Sequence, residues 1–181
     1  MAYSYLNDYA FTYVDDPVIE PVTVAEAKLY CRVTNTIEDD LFTELIIQSR
    51  EAIEKVTNLS LVQKNLIVCF NNLGGNFELP FGPIVRASFK LYDDNQNGAE
   101  IASGFYKTIG IQYLKLEYPA YQNLRATYYG GYSEIPKELK IAMLDQINYG
   151  YENRGMDVND MGICEKTWRA CQRWTRTSPI L

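Results

Sequence analysis

Residues 93–98 read DDNQNG, the first half of a calcium loop of the form D-x-[DN]-x-[DN]-G, with Asp93, Asn95, Asn97 and Gly98 in register. In such a loop, oxygen donors at alternate positions wrap a hard cation, and a bidentate glutamate at the twelfth position closes the shell. The twelfth position here is Gly104, and both flanks read as strands where a calcium loop has helices. Asn97-Gly98 between two alternating segments is itself a hairpin signal. The expectation is a turn, and no metal ligand is assigned.

Two glycine pairs raise a second chemistry. Gly74-Gly75 and Gly130-Gly131 resemble the places where backbone N–H groups at a helix start hold phosphate. A P-loop needs a longer glycine run ending in Lys and Ser/Thr, and a dinucleotide turn needs G-x-G-x-x-G. Neither is present. The second pair is followed by YSEIP, which sets Glu134 where an anion would sit and Pro136 at the expected first helical position. The preferred reading is a joint between strand and helix. A small nucleotide- or metal-dependent enzyme using Gly130-Gly131 or Asp93–Gly98 stands as the alternative.

The chain has no histidine. That removes Ser-His-Asp and Cys-His catalysis, histidine-ligated metals and the commonest general base together. Paired carboxylates remain conceivable, but Glu38, Asp39, Asp40, Asp93, Asp94, Asp157 and Asp160 all read as helix starts and turns. Cys31, Cys69, Cys164 and Cys171 form no CxxC pair, and buried or idle thiols in a reducing compartment are expected. No catalytic residue, cofactor or metal site is therefore assigned.

Contact chemistry is better represented. Fifteen tyrosines and two tryptophans supply large, stiff contact area of the kind enriched at interfaces, although a β core with tyrosines at its rim would use them as well. Tyr9, Phe11 and Tyr13 alternate along a segment that reads as an edge strand. Trp168, Arg169, Arg173, Trp174 and Arg176 crowd the other end. Residues 161–181 carry four cations against Glu165 alone, a local charge of +3, which leaves −9 on the other 160 residues. A basic segment beside an acidic body suggests that the segment meets an acidic surface, including one on a second copy. These eight residues are the candidate interface; a monomeric module whose Tyr-rich arm holds a peptide is a third reading.

The elements that would carry these residues form an α+β pattern. Residues 1–20 make an N-terminal aromatic arm. PVTVAEAK opens a helix over 23–33, with Thr23 and Glu26 as a capping box. A long helix is expected over 37–57, with Thr36 and Asp39 as a cap signal, an apolar stripe of Leu41, Leu45, Ser49, Ala52 and Val56 flanked by Phe42, Ile46 and Ile53, and a left-handed stop at Asn58. Residues 61–132 read as strands (61–70, 76–80, 84–93, 99–110, 111–118, 124–132) in an antiparallel meander. A third helix follows over 136–153 with Leu139, Ala142, Met143, Gln146, Ile147 and Gly150 inward, and 156–181 forms a C-terminal Trp/Arg tail in which GICEKTWRACQRWTRTSPIL reads as a last short helix or as tail. The expected fold is a bundle of about three helices with a β-meander and two arms, and the main domain runs over 21–155. With 181 residues and a net charge of −6, one such domain is well supplied with core, and nucleic-acid readout through phosphate neutralisation is disfavoured. No apolar run approaches a bilayer span, and MAYSYLNDYAFTYVDD lacks the basic start and apolar block of a signal peptide.

The order of these pieces resembles the head–tail connector (adaptor) family of tailed bacteriophages over about residues 20–155. The matching residues are Pro21, Thr23, Glu26, Ala27, Lys28, Arg32, Val33, Asp39, Asp40 and Thr57-Asn58, then Leu79-Pro80-Phe81-Gly82-Pro83. They continue with Tyr128 to Tyr132, Ile135-Pro136-Lys137-Glu138-Leu139-Lys140 and Tyr151-Glu152-Asn153-Arg154. Asn58 replaces a usual glycine, and the Tyr-rich arm and Trp/Arg tail depart from the family pattern. The resemblance implies a non-enzymatic virion protein that forms a ring, usually of twelve copies, between portal and tail. It implies self-association, contacts with the portal protein and other neck or tail proteins, genomic DNA passing through without specific binding, no membrane, and assembly in the host cytoplasm.

Overall fold

The computed structural model describes residues 9–13, 17, 19–70, 76–111, 113–116, 123–154 and 162–175. The chain divides into two compact units, one from Met1–Pro17 with Gln63–Tyr132 and one from Val18–Val62 with Ser133–Leu181.

The second unit is helical, with α1 Val24–Cys31, α2 Asp39–Thr57, α3 Lys137–Glu152 and α4 Glu165–Gln172. The capping box forms as the sequence predicts: Thr23 Oγ1 accepts the Glu26 N–H at 3.2 Å, and the Glu26 carboxylate accepts the Thr23 N–H at 2.9 Å. The helix stops on Arg32, which takes the left-handed conformation (φ 58°) without a glycine, while the Val33 N–H reaches the Lys28 carbonyl at 2.9 Å. The start of α2 differs from expectation. Thr36 lends only its carbonyl, and the N-cap is Glu38, whose side chain makes no cap bond. Its carboxylate is engaged instead by Tyr151 and Arg154 at the end of α3, both at 2.9 Å. Asn58 ends α2 in the left-handed region (φ 55°), as expected.

The inward stripe of α2 is centred on the flank of the expected one. Phe42, Ile46, Ile53 and Thr57 are buried beside Leu45 and Ser49, whereas Leu41, Ala52 and Val56 are only half-buried. Phe42 sets this position by stacking on Tyr151, with ring centroids 5.0 Å apart. The inner face of α3 is Leu139, Ala142, Met143, Gln146 and Ile147. At Gly150 a Cβ would lie 2.9 Å from Leu45 Cδ2, so the missing side chain lets α3 close on α2. Of the two readings of the C-terminal segment, the short helix forms, as α4: Thr167 and Cys171 are fully buried, and Thr167 Oγ1 donates to the Ala142 carbonyl at 2.9 Å.

The first unit contains β1 Tyr9–Tyr13, β2 Lys64–Phe70, β3 Asn76–Glu78, β4 Lys90–Asp93, β5 Ala99–Glu100, β6 Tyr106–Ile109, β7 Tyr113–Leu116 and β8 Leu124–Gly130. All pairings among the described residues are antiparallel. One sheet has the order β1-β2-β8-β4-β5 and the other β3-β7-β6, so only some neighbours are consecutive in sequence. In β2 and β8, alternate residues are buried, and Leu66, Val68 and Phe70 pair with Tyr128, Ala126 and Leu124. Leu79, Phe81, Phe89, Leu91, Leu114 and Leu116 complete a core shared by both sheets.

Two expected strands are interrupted by 3₁₀ turns. The segment 84–93 bends through a 3₁₀ turn at Arg86–Ser88 before β4. There Ser88 Oγ donates to the Val85 carbonyl at 2.6 Å and accepts the Tyr129 N–H at 2.8 Å, which substitutes a side chain for a ladder bond. A second 3₁₀ turn, Ser103–Phe105, divides 99–110 into β5 and β6.

Candidate functional site

The turn that resembled a calcium loop uses its oxygens on itself. Asp93 accepts the Asn95 N–H at 3.0 Å, Asp94 pairs with Arg125 at 3.1 Å, and Asn95 Oδ1 accepts from Asn123 at 2.8 Å. Asn97 (φ 56°) and Gly98 (φ 74°) take the left-handed conformations that join β4 to β5, and the Gly98 N–H closes on the Asp93 carbonyl at 3.1 Å. Among the described residues no three His, Cys, Asp or Glu side chains are grouped to hold a metal ion.

The glycine pair is likewise packed. A Cβ on Gly130 would lie 2.5 Å from the Phe81 carbonyl oxygen and 2.6 Å from Leu66 Cδ1. The Gly131 N–H, at φ 124°, is bonded to the Pro83 carbonyl at 2.8 Å. A phosphate would find neither the space nor that donor. Pro136 is the N-cap of α3 and not its first helical residue: its ψ is 135°, and its carbonyl accepts from Lys140 at 3.0 Å.

The carboxylates and thiols follow the same pattern. Hydrogen bonds from Tyr151 and then Arg154 hold the Glu38 carboxyl below its usual range, and the same contact raises the Tyr151 phenol. Asp39 is paired with Lys28. Asp40 is exposed, and Asp157 and Asp160 lie outside the described residues. Burial pushes the Cys171 thiol up to about 11 and raises Cys31 and Cys69, so these three stay protonated and poorly nucleophilic at neutral pH.

The candidate interface residues divide between the two units. Tyr9, Phe11 and Tyr13 belong to β1, in register with Phe70, Val68 and Leu66 of β2, with β1 at the edge of its sheet. Trp168, Arg169, Arg173 and Trp174 lie on or just past α4. Arg176 lies outside the described residues. Trp168 and Trp174 are half-buried, and Trp174 Nε1 donates to Glu138 at 3.1 Å.

The cations of α4 already meet acids of their own unit. Lys166 bonds Asp145 at 2.6 Å, Arg169 bonds Glu165 at 2.8 Å and Arg173 bonds Glu138 at 2.8 Å. Their spacing (i, i+3, i+7) nevertheless lines them along one outward stripe, and their side chains are 71%, 75% and 76% exposed. With Ala170, Glu138 and Glu165 they border a shallow cleft of about 420 Å³.

Sequence reasoning missed three side-chain clusters. Arg50 and Glu54 are buried within α2 and join Glu20. Asp145 accepts from both Tyr30 and Lys166 at 2.6 Å. Glu38 gathers Tyr151 and Arg154. The i, i+4 spacing of Arg50 and Glu54 was visible, but their burial was not.

No protein-family model matches the chain, and no curated protein matches it. Solved structures do, among them the following two. A chain in the neck of an empty GTA particle, computed with C6 symmetry, is 17% identical, with a TM-score of 0.74 over 94% of this chain and 97% of its own. A chain in the virion of a native gene transfer agent (GTA) particle is also 17% identical, with a TM-score of 0.75 over the same shares. Over 94% of its length, then, this chain has the α+β fold of a chain found in the neck of a gene transfer agent particle.

Proposed function

We propose that this protein is a structural component of the neck of a tailed-phage-like particle, with no chemistry of its own. The observation that carries this reading is the fold likeness to neck and virion chains over 94% of the chain. The ordered motifs over residues 20–155 agree with it. In this reading, copies assemble into a ring of twelve between portal and tail, extend the DNA channel and dock neck and tail proteins. A net charge of −6 suits a channel that passes DNA without gripping it. Tyr9, Phe11 and Tyr13 on β1, with Trp168, Arg169, Arg173, Trp174 and Arg176 on and after α4, are its proposed contact residues. The protein would be assembled in the host cytoplasm and reside in the virion.

The test is to purify particles from the system that encodes the chain, identify it by mass spectrometry, and cross-link it to its neighbours. Recovery in stoichiometric amounts and linkage to the portal protein support the proposal. Complete, tailed particles that form without the chain would overturn it. Point substitutions suit this work better than removal of residues 161–181, because α4 supplies buried Thr167 and Cys171 to the helical core.

A further inference from the structure

We infer that neighbouring copies dock by setting the acidic outer face of α2 on one copy against the basic outer stripe of α4 on the next. This inference rests on the ring reading above and names the contact that would build the ring.

Asp40, Glu44 and Glu51 are exposed and lie at i, i+4 and i+11 of α2, which places them within a narrow sector of the helix surface. Among the described residues Asp40 and Glu44 have no ion-pair or hydrogen-bonded side-chain partner, and Glu51 meets only Arg50, at 3.7 Å. Three carboxylates on one face with so little compensation repel one another until a cationic surface arrives. Lys166, Arg169 and Arg173 form such a surface. The acidic row spans about 16 Å and the basic row about 10 Å at the helical rise, so one fits along the other.

The internal partners of these cations do not satisfy them. Lysine has three N–H donors and arginine five, and each side chain spends one on its own acid. Exposed pairs of this kind contribute about 0–1 kcal/mol and are readily re-formed with a better-placed acid. Ala170, between Arg169 and Arg173 at the cleft, leaves room for an approaching helix.

The contact is between copies because of how the helices pack. Thr167 and Cys171 on α4, and Phe42, Ile46 and Ile53 on α2, face one helical core, so the outer faces of the two helices diverge. Complementary faces that diverge on one molecule satisfy each other on a second copy, and in the ring reading the contact is head-to-tail, which closes into a ring when its rotation divides the circle.

Particles carrying the full-length chain, half of it isotope-labelled, would be treated with a zero-length carbodiimide reagent. The inference expects links between copies that join Lys166 to Asp40, Glu44 or Glu51. Links between copies that never join α2 to α4 overturn this contact and leave the ring reading standing. The absence of any link between copies overturns both. A second measurement follows self-association of the purified chain or its incorporation into necks. R169E/R173E and E44K/E51K are each expected to weaken assembly at least about tenfold, and the four changes together to restore it, with circular dichroism confirming the fold. If R169E/R173E unfolds, the milder R169Q/R173Q replaces it. Full assembly by either reversal alone overturns the contact.

Discussion

Arg50 joins both flanks of α2. Its guanidinium, buried within the helical unit, binds Glu20 at 2.8 Å and Glu54 at 3.1 Å, and Glu54 accepts the Leu61 N–H at 2.8 Å. Burial disfavours the cation, but the two carboxylates more than offset this and the Arg50 pKa is raised. Removing one member of a buried ionic set leaves its partners uncompensated. Arg50→Ala is therefore expected to lower the unfolding free energy by about 3–5 kcal/mol, read by urea denaturation. Glu26 and Glu38 give a second expectation at this scale. Lys140 and then the Thr23 backbone lower the Glu26 pKa, and Tyr151 and Arg154 lower that of Glu38. A carboxyl whose folded pKa is depressed contributes stability above its ordinary value near 4.5 and loses it as the pH falls through the folded value. Melting temperature should hold at neutral pH and drop below about pH 4.5. A variant with Glu26→Gln and Glu38→Gln should start lower and show a shallower acid limb.

Among the elements, β8 is the most constrained. Its last residue, Gly130, lies against the Phe81 carbonyl and Leu66, so Gly130→Ala must displace backbone. The expected cost is about 1–3 kcal/mol in chemical denaturation, with helical content unchanged by circular dichroism. Local rules foretold elements whose signals are self-contained. The Thr23–Glu26 box, the Asn58 stop, the inward face of α3 and the Asn97-Gly98 hairpin all depend on residues a few positions apart. The interruption at Arg86–Ser88 escaped, because Ser88 gains its second partner, Tyr129, from 41 residues away. The start of α2 escaped for the same reason: Glu38 turns to Tyr151 and Arg154, more than 110 residues on.

For the whole molecule, the division into units governs what each chain segment does. Residues 1–17 belong with the strands, so the aromatic arm contributes β1 to a sheet whose other members begin near residue 64. Deleting residues 1–17 would unpair the outer edge of β2, and its amides, Lys64–Phe70, should exchange with solvent faster by mass spectrometry. Unchanged exchange there would show that β1 contributes little to the sheet. The charge split follows a similar logic. The basic stripe already rests on Asp145 and Glu138 of its own unit, so the +3 and −9 of the sequence partly neutralise each other within the chain.

The sequence alone determined the α+β class, the three principal helices and the absence of histidine chemistry, because composition, capping and periodicity are local properties. It also supplied the ordered motifs that pointed to a connector. Tertiary structure decided what surrounds the two turns that resembled ligand loops. The calcium-like turn and the glycine joint are filled by Arg125, Asn123, Phe81 and Leu66, residues distant in sequence that only folding brings near. It also decided that the basic tail is partly a core helix, since burial of Thr167 and Cys171 depends on where α3 lies. Pairing and burial are non-local, and a single chain read along its length carries no direct signal for them.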